Sequence, residues 1–329
     1  MHGGRQRTTI VSMVMMVACS SSPAPIEHEA RQITLDQTVA LVERWVAADA
    51  RNLEPVVAET AILIDANPST GAMVFGRKAI LEDIAKRAKT NRCTLDLAIV
   101  KAGEAAVLRH CVASVPARKP PTERRITLHR LGELRIDRTG AITRWTSWFD
   151  GLRALQQTGV KLGADARPDV AAARTTIARA RNDQTEAAND VAARAFIAAL
   201  DRRDVPGAAR HIADGYTHHD LASAVAVVFA SAAQYERLLQ SELAPCEGSA
   251  YRVFSTITAE SWVAVRYGHS CRPLDAPRGG SYTTGMWLLR FAEGRIVEGW
   301  RVSNRFDEGL QLGQIDQREL RAQIAAAGL

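Results

Sequence analysis

Few side chains in this sequence could do chemistry. Asp150 closes the segment Trp145-Thr146-Ser147-Trp148-Phe149-Asp150. A carboxylate in an apolar surrounding can hold a proton near neutral pH and pass it to a substrate. Arg109 is its candidate companion. The competing reading has Asp150 capping the helix that follows, or simply pairing with Arg109. His218-His219-Asp220 sets two imidazoles beside a carboxylate. A metal site there would need a third ligand that the sequence does not offer, and the pair could equally lie on the surface. Trp145, Trp148, Trp287 and Trp300 are read as core or pocket wall; with His219, Arg266 and Asn304 they complete the residues expected around a ligand pocket. Neither a metal nor a cofactor is expected.

Five cysteines are the other chemical resource. Four fall in two matched pairs. Residues 94–100 and 105–111 flank the turn Lys101-Ala102-Gly103-Glu104, which places Cys93 nearly opposite Cys111. Residues 251–258 and 261–268 turn around Ala259, which places Cys246 nearly opposite Cys271. Two disulfides are therefore expected. Metal binding is the rival, opposed by the lack of any C-x-x-C or neighbouring His cluster.

The fifth, Cys19, belongs to the start of the chain. Arg5 and Arg7 precede Thr8–Ala18, an uncharged, mainly apolar run that is short for a membrane span. The text Met16-Val17-Ala18-Cys19, followed by Ser20-Ser21-Ser22-Pro23, resembles a bacterial lipoprotein signal, with Ala18 fitting the pattern and Met16 departing from it. Residues 1–18 are expected to be a signal peptide, 19–32 a flexible tether, and Cys19 the lipid attachment point. An ordinary signal peptide or an uncleaved anchor is the alternative. Such a chain would sit in the cell envelope, exported and held at a membrane by lipid. An oxidising compartment would permit both disulfides. Losing Arg5 and Arg7, and no acid, would lower the formal charge from +6 to +4. Basic and acidic residues are interspersed without a basic block, so no nucleic-acid partner is indicated.

The elements that must position these groups occur twice. Gly140–Gly159 (GAITRWTSWFDGLRALQQTG) recurs 154 residues later as Gly294–Gly313 (GRIVEGWRVSNRFDEGLQLG). Each copy reads G-x-I, then Trp, then Q-x-G. Trp145 stands three residues past its Ile and Trp300 four, a slip that on a strand exchanges faces and predicts a bulge or edge adjustment in one copy. A repeat of this length is a duplicated domain rather than a solenoid unit. In the first copy the periodicity predicts helices over Leu35–Asn52, Leu53–Glu59 and Lys78–Lys89. Strands follow at 62–64, 94–100, 105–114, 124–137 and 141–149, then a helical turn over Gly151–Gln157. The second copy repeats this with helices at Ala187–Leu200, Val205–Ile212 and Ala232–Leu243. Its strands are expected at 215–219, 251–258, 261–269, 281–292 and 295–303. Domains are set at 33–160 and 185–329, with 161–184 a connector carrying a helix over Asp169–Arg181. Helices grouped ahead of antiparallel strands indicate α+β.

This order, with Phe75-Gly76-Arg77 before a helix, Tyr216-Thr217-His218-His219-Asp220 after a short one, and the Trp-to-Q-x-G endings, resembles the nuclear transport factor 2-like cones, specifically the SnoaL-like polyketide cyclase branch. The resemblance implies two tandem cones, each a curved, mainly antiparallel sheet wrapped by about three helices around one apolar pocket. It also implies an acid or base near the end of the last strand. Asp150 holds that place in the first copy, where the ending also resembles W-x-x-Y-F-D of the limonene epoxide hydrolase branch. Asn304, which cannot take up a proton at physiological pH, holds it in the second. His219 has Asn67 as its counterpart, so Asp and His never share a copy. The Arg-x-Asp of the epoxide hydrolase branch is Arg109-His110-Cys111 here, without its second carboxylate. These readings point to a lipid-anchored binding or scaffolding protein for a small hydrophobic ligand, without a complete catalytic set. The rivals are a SnoaL-like isomerase, cyclase or hydrolase using Asp150, and a structural pseudo-dimer in which the cones pack on each other.

Overall fold

A computed structural model describes residues 33–48, 50–66, 73–118, 122–149, 151–161, 175–221, 227–274, 279–311 and 315–327. The signal and tether segments, Cys19 and Asp150 lie outside the described residues. By its contacts the chain divides between Ala30 and Arg31, and Arg31–Leu329 is one compact unit.

Helix α1 (Leu35–Ala47) starts at Thr34, whose hydroxyl accepts from the Gln37 amide while the Gln37 side chain accepts from the Thr34 amide. This reciprocal cap satisfies two amides that a helix end leaves without partners. Leu41, Val42 and Trp45 recur at helical spacing and are buried, each worth roughly 1.5–3 kcal/mol in area removed from water. The helix ends at Ala48 in the left-handed region (φ 51°). Then come α2 (Ala50–Leu53), β1 (Val57–Asp65), β2 (Met73–Phe75), α3 (Arg77–Ala88), β3 (Asn91–Lys101), β4 (Glu104–Pro116), β5 (Glu123–Ile136), β6 (Ile142–Trp148), α4 (Gly151–Gln157) and β7 (Thr176–Arg179). The second half has α5 (Gln184–Asp201), α6 (Val205–Ala209), β8 (Ile212–Asp220), β9 (Val227–Phe229), α7 (Ala232–Leu243), β10 (Cys246–Ala259), β11 (Trp262–Pro273), β12 (Ser281–Ala292), β13 (Arg295–Ser303), α8 (Arg305–Gln311) and α9 (Gln317–Ala326).

The class is α+β with two mixed sheets. Their orders are β2-β1-β6-β5-β4-β3-β7 and β10-β11-β12-β13-β8-β9. Read backwards, the second order repeats the first from β2 to β3. In both, the last long strand pairs antiparallel with its predecessor and parallel with the first strand of its half.

Two expected elements differ. The helix over Leu53–Glu59 is a tight turn at Glu54–Val56 leading straight into β1. Pro55 starts that turn without an amide to extend a helix, and Val56 and Val57 favour extended backbone. Of the connector helix expected over Asp169–Arg181, the described part is strand β7. Thr176 and Ile177 are β-branched, and the segment pairs in parallel with the edge of β3.

Each sheet has an inner face under its helices and an outer face. The inner cores are separate: Trp45, Leu63, Ile84, Val107, Leu134 and Trp145 belong to the first, and Phe196, Tyr216, Tyr235, Tyr267, Trp287 and Leu289 to the second. The outer faces contribute to one shared cluster, with Leu97, Leu108, Leu131 and Trp148 from the first half and Ile257, Trp262, Ala264 and Leu288 from the second. Glu133 accepts from Arg266 Nη1 (3.1 Å) and Ser255 Oγ (3.1 Å) across this face, and Asn304 Nδ2 donates to the Ala66 carbonyl (2.6 Å). Cys93–Cys111 and Cys246–Cys271 are disulfides, the first joining residues directly opposite each other on β3 and β4.

Candidate functional site

The inner face of the first half encloses a cavity of about 150 Å³ beneath α1 and α3, lined in part by Trp45, Leu63, Ile84 and Trp145. Trp145 reaches this face across Gly132, where a Cβ would lie 2.3 Å from the indole, so only glycine leaves room for the ring. The wall is otherwise cationic: Arg87, Arg92, Arg109 and Arg130 line it against one carboxylate, Asp83. Arg109 on β4 and Arg130 on β5 are direct cross-strand partners. Asp65, at the end of β1, accepts from Arg87 (3.3 Å) and lies 4.0 Å from Arg130, while Asp83 pairs with Arg87 at 2.7 Å. Arg109 has no acidic partner among the described residues. Its guanidinium carbon lies 5.0 Å from the Trp145 ring centre, it is 8% exposed, and its Nε is buried without a hydrogen bond. Burial, then Arg130 and Arg87, push it down to about 9.

The second half is built on the same positions with other charges. Arg301 on β13 stands where the first half has Ser147: Arg301 is opposite Asp220 as Ser147 is opposite Asp65. Glu242, last but one in α7, replaces Arg87, last but one in α3. The cross-strand pair His269 and Thr283 replaces Arg109 and Arg130 two residues before each hairpin cysteine. Arg301 donates to Asp220 (2.7 Å) and, through both terminal nitrogens, to Glu242 (2.7 and 2.6 Å). Burial alone would lower Arg301; Asp220 and Glu242 outweigh it and hold the guanidinium well above its ordinary value. The neighbouring cavity, about 300 Å³, is lined by Glu242 and Glu308 against Arg301, with Tyr251, Tyr267 and His269. Deeper in, His218 Nδ1 lies 2.8 Å from the Tyr216 hydroxyl, and its ring centre is 4.2 Å from that of Tyr235.

The residues expected around a ligand pocket divide by face. Trp145 and Arg109 border the first cavity, and Trp287 fills the second inner core against Tyr267 at 4.2 Å. Trp148, His219, Arg266, Trp300 and Asn304 are on the outer side instead. Trp148 donates to Thr284 Oγ1 (3.1 Å), and His219 stacks on Trp300 at 3.7 Å while approaching Glu298 at 3.3 Å. His218 is the imidazole that faces inward. The slip between Trp145 and Trp300 does exchange faces. Register irregularities accompany the final strand in both copies, not one. Where Trp145 stands, the second half has Gly299, whose absent side chain leaves room for the Tyr216 hydroxyl. Sequence reading missed Arg87, Arg130, Asp65, Glu242 and Arg301. The available signal was the exchange of Arg87 for Glu242 at one helix position of the repeat.

A larger cavity among the described residues, about 600 Å³, belongs to neither interior. It is an apolar groove among the ends of β4 and β5, α4, and α8 and α9, with Phe149, Leu155, Leu310 and Leu320 on its walls. Its size exceeds that of the two interiors, but the inner cavities hold the convergent charged groups. Among the described residues no group of His, Cys, Asp and Glu is arranged to hold a metal, and no helix is long and apolar enough to cross a membrane.

Residues 193–299 match the family described as a SnoaL-like domain, so the second half contains one such domain. Similar solved structures include AclR from Streptomyces galilaeus (23% identity, 40% of this chain and 98% of that chain, TM-score 0.34). A protein with a ketosteroid isomerase-like fold from Catenulispora acidiphila follows (16% identity, 37% of this chain and 92% of that one, TM-score 0.35). A third is an LEH-like epoxide hydrolase of M. tuberculosis (13% identity, 43% and 98%, TM-score 0.34). At these values none of them transfers an activity or a substrate to this chain. The comparison with curated proteins returned no match.

Proposed function

We propose that this chain is an exported, lipid-anchored binding protein with two tandem SnoaL-like domains, 33–160 and 185–329, joined by the connector 161–184. A small, largely apolar ligand is held inside the first domain, and the second serves as its scaffold in a covalent pseudo-dimer. The observation that carries this reading is the tryptophan-lined cavity of about 150 Å³ with Arg109, which has no acidic partner among the described residues, in its wall. The described carboxylate of its wall, Asp83, and the nearby Asp65 are both paired with Arg87. With their oxygens engaged by arginine, neither is presented to a ligand as a free base, which supports binding over proton transfer. Two disulfides suit an oxidising compartment.

The test is mass spectrometry of small molecules retained by the purified full chain. A defined compound released on denaturation of the protein, and absent from a Trp145→Ala variant, is expected. No retained compound at any loading would remove the binding reading. Turnover of small epoxides or polyketide-like esters that disappears in Asp150→Asn would replace binding by catalysis, since a general acid or base contributes about 10²–10⁴-fold. For the anchor, Cys19→Ala should move the chain from the membrane fraction to the aqueous one; unchanged detergent partitioning would refute it.

A further inference from the structure

We infer that the cavity of the first half is a receptor for a small organic carboxylate, one with an apolar or aromatic body of about the size of a benzene ring. This deepens the binding reading given above and rests on it. Three observations converge. Arg109 and Arg130 are directly opposite each other on β4 and β5 and line the same cavity. Like charges placed so are destabilising, so the pair is a cost to the fold alone. Arg109 is nine-tenths buried, carries a buried Nε with no hydrogen bond, and has no acid among the described residues to balance it. An arginine taken from water without a counter-charge leaves a strong, planar, two-pronged donor unsatisfied, and a carboxylate is the planar acceptor that matches it. Among the described residues the nearby acids are already engaged: Asp65 bonds Arg87 and lies near Arg130, and Asp83 pairs with Arg87.

The second half is the internal control. The same fold there turns the balance over, with Glu242 in place of Arg87 and the pair His269 and Thr283 in place of the two arginines. Its one arginine on the cavity, Arg301, is held by two carboxylates of its own. The fold therefore does not require the cationic wall, which is a property of the first interior. Size sets the rest of the ligand. A cavity of about 150 Å³ is on the scale of one that admits benzene. The indoles of Trp45 and Trp145, 5.2 Å apart, supply apolar surface, while Arg92 and Asn91 at the wall leave the charged side polar.

The experiment titrates the full chain by calorimetry, in carboxylate-free buffer, with benzoate, benzamide and inorganic phosphate. Benzoate is expected to bind at least tenfold more tightly than either of the others. Arg109→Gln should weaken benzoate on the order of 10–100-fold, the range for a charge-assisted hydrogen bond, and leave benzamide nearly unchanged. Arg109→Lys, which keeps the charge but not the fork, should fall between. The benzoate-to-benzamide ratio in the unaltered protein needs no variant to fold. Equal binding of benzamide would overturn the carboxylate inference and leave the binding reading intact. Phosphate binding as tightly as benzoate would reduce the site to a general anion site and overturn the inference too. Binding of none of the three overturns it, and retained-ligand mass spectrometry then decides whether the binding reading falls with it.

Discussion

His218 shows how far placement can change a side chain. It is fully buried on the inward side of β8, with Tyr216, Phe229 and Tyr235 around it. Burial and the charge of Arg301 outweigh the opposing pull of Asp220 and Glu242, and lower it to about 3. The folded protein therefore holds the neutral ring, whereas the unfolded chain binds a proton below about 6.5. Stability is present in full above the unfolded value and is lost as pH falls from about 6.5 toward 3, by roughly 3 kcal/mol at pH 4.5. In His218→Gln this share of the acid sensitivity should vanish, so that urea midpoints of variant and parent converge between pH 6.5 and 4.5. Parallel slopes over that interval would show that the ring is protonated in the fold. At this scale the sequence was only partly legible. The text His218-His219 names two candidates, but which faces inward depends on the phase of β8, and one residue of slip exchanges them.

Hairpins were the most legible elements. The turns Lys101–Glu104 and Ala259–Trp262 are short, so register follows from counting, and Cys93 and Cys111 do stand opposite each other. In the second hairpin the count slips: irregularities place Ser249 opposite Cys271, yet the bond to Cys246 is still made. Each disulfide closes the open end of its hairpin, and Cys93 also borders the first cavity. Replacing Cys93 and Cys111 together by serine should cost about 3 kcal/mol, as expected for a loop of 18 residues. Non-reducing peptide maps should show these two bonds and no link between halves; a Cys93–Cys246 or Cys111–Cys271 peptide would contradict the registers. What could not be counted was the pairing of β4 with β5. The segment Arg118–Thr122 between them holds two prolines and no short-turn signature, so the placement of Arg109 against Arg130 stayed hidden. The register of that longer connection decides the character of the cavity.

Across the whole molecule, the two sheets share the outer-face cluster, with Glu133 buried at 1% exposure between Arg266, Ser255 and Arg135. Glu133→Ala would leave Arg266 without its carboxylate against the indole of Trp148. The expected loss is about 2–3 kcal/mol, below the figure for fully buried pairs because both arginines retain some solvent. Chemical denaturation should show that loss in one cooperative transition. Two separate transitions, with only one half affected, would mean that the sheets unfold independently. The repeated order of strands was foreshadowed by the end segments, but the packing of the outer faces was not, because Trp148 and Trp300 read equally well as pocket walls.

The inverted charges of the two interiors have a consequence for how such a chain can change over time. In an assembly of two identical polypeptides, every mutation appears in both sites at once, and a residue useful in one must be tolerated in the other. Within a single chain that constraint lapses. Glu242 could become fixed without touching Arg87, and Arg301 without touching Ser147. One copy can then keep the fold's mechanical strength while its twin drifts toward a new molecule to hold, a freedom that symmetry denies to any pair made from one gene product.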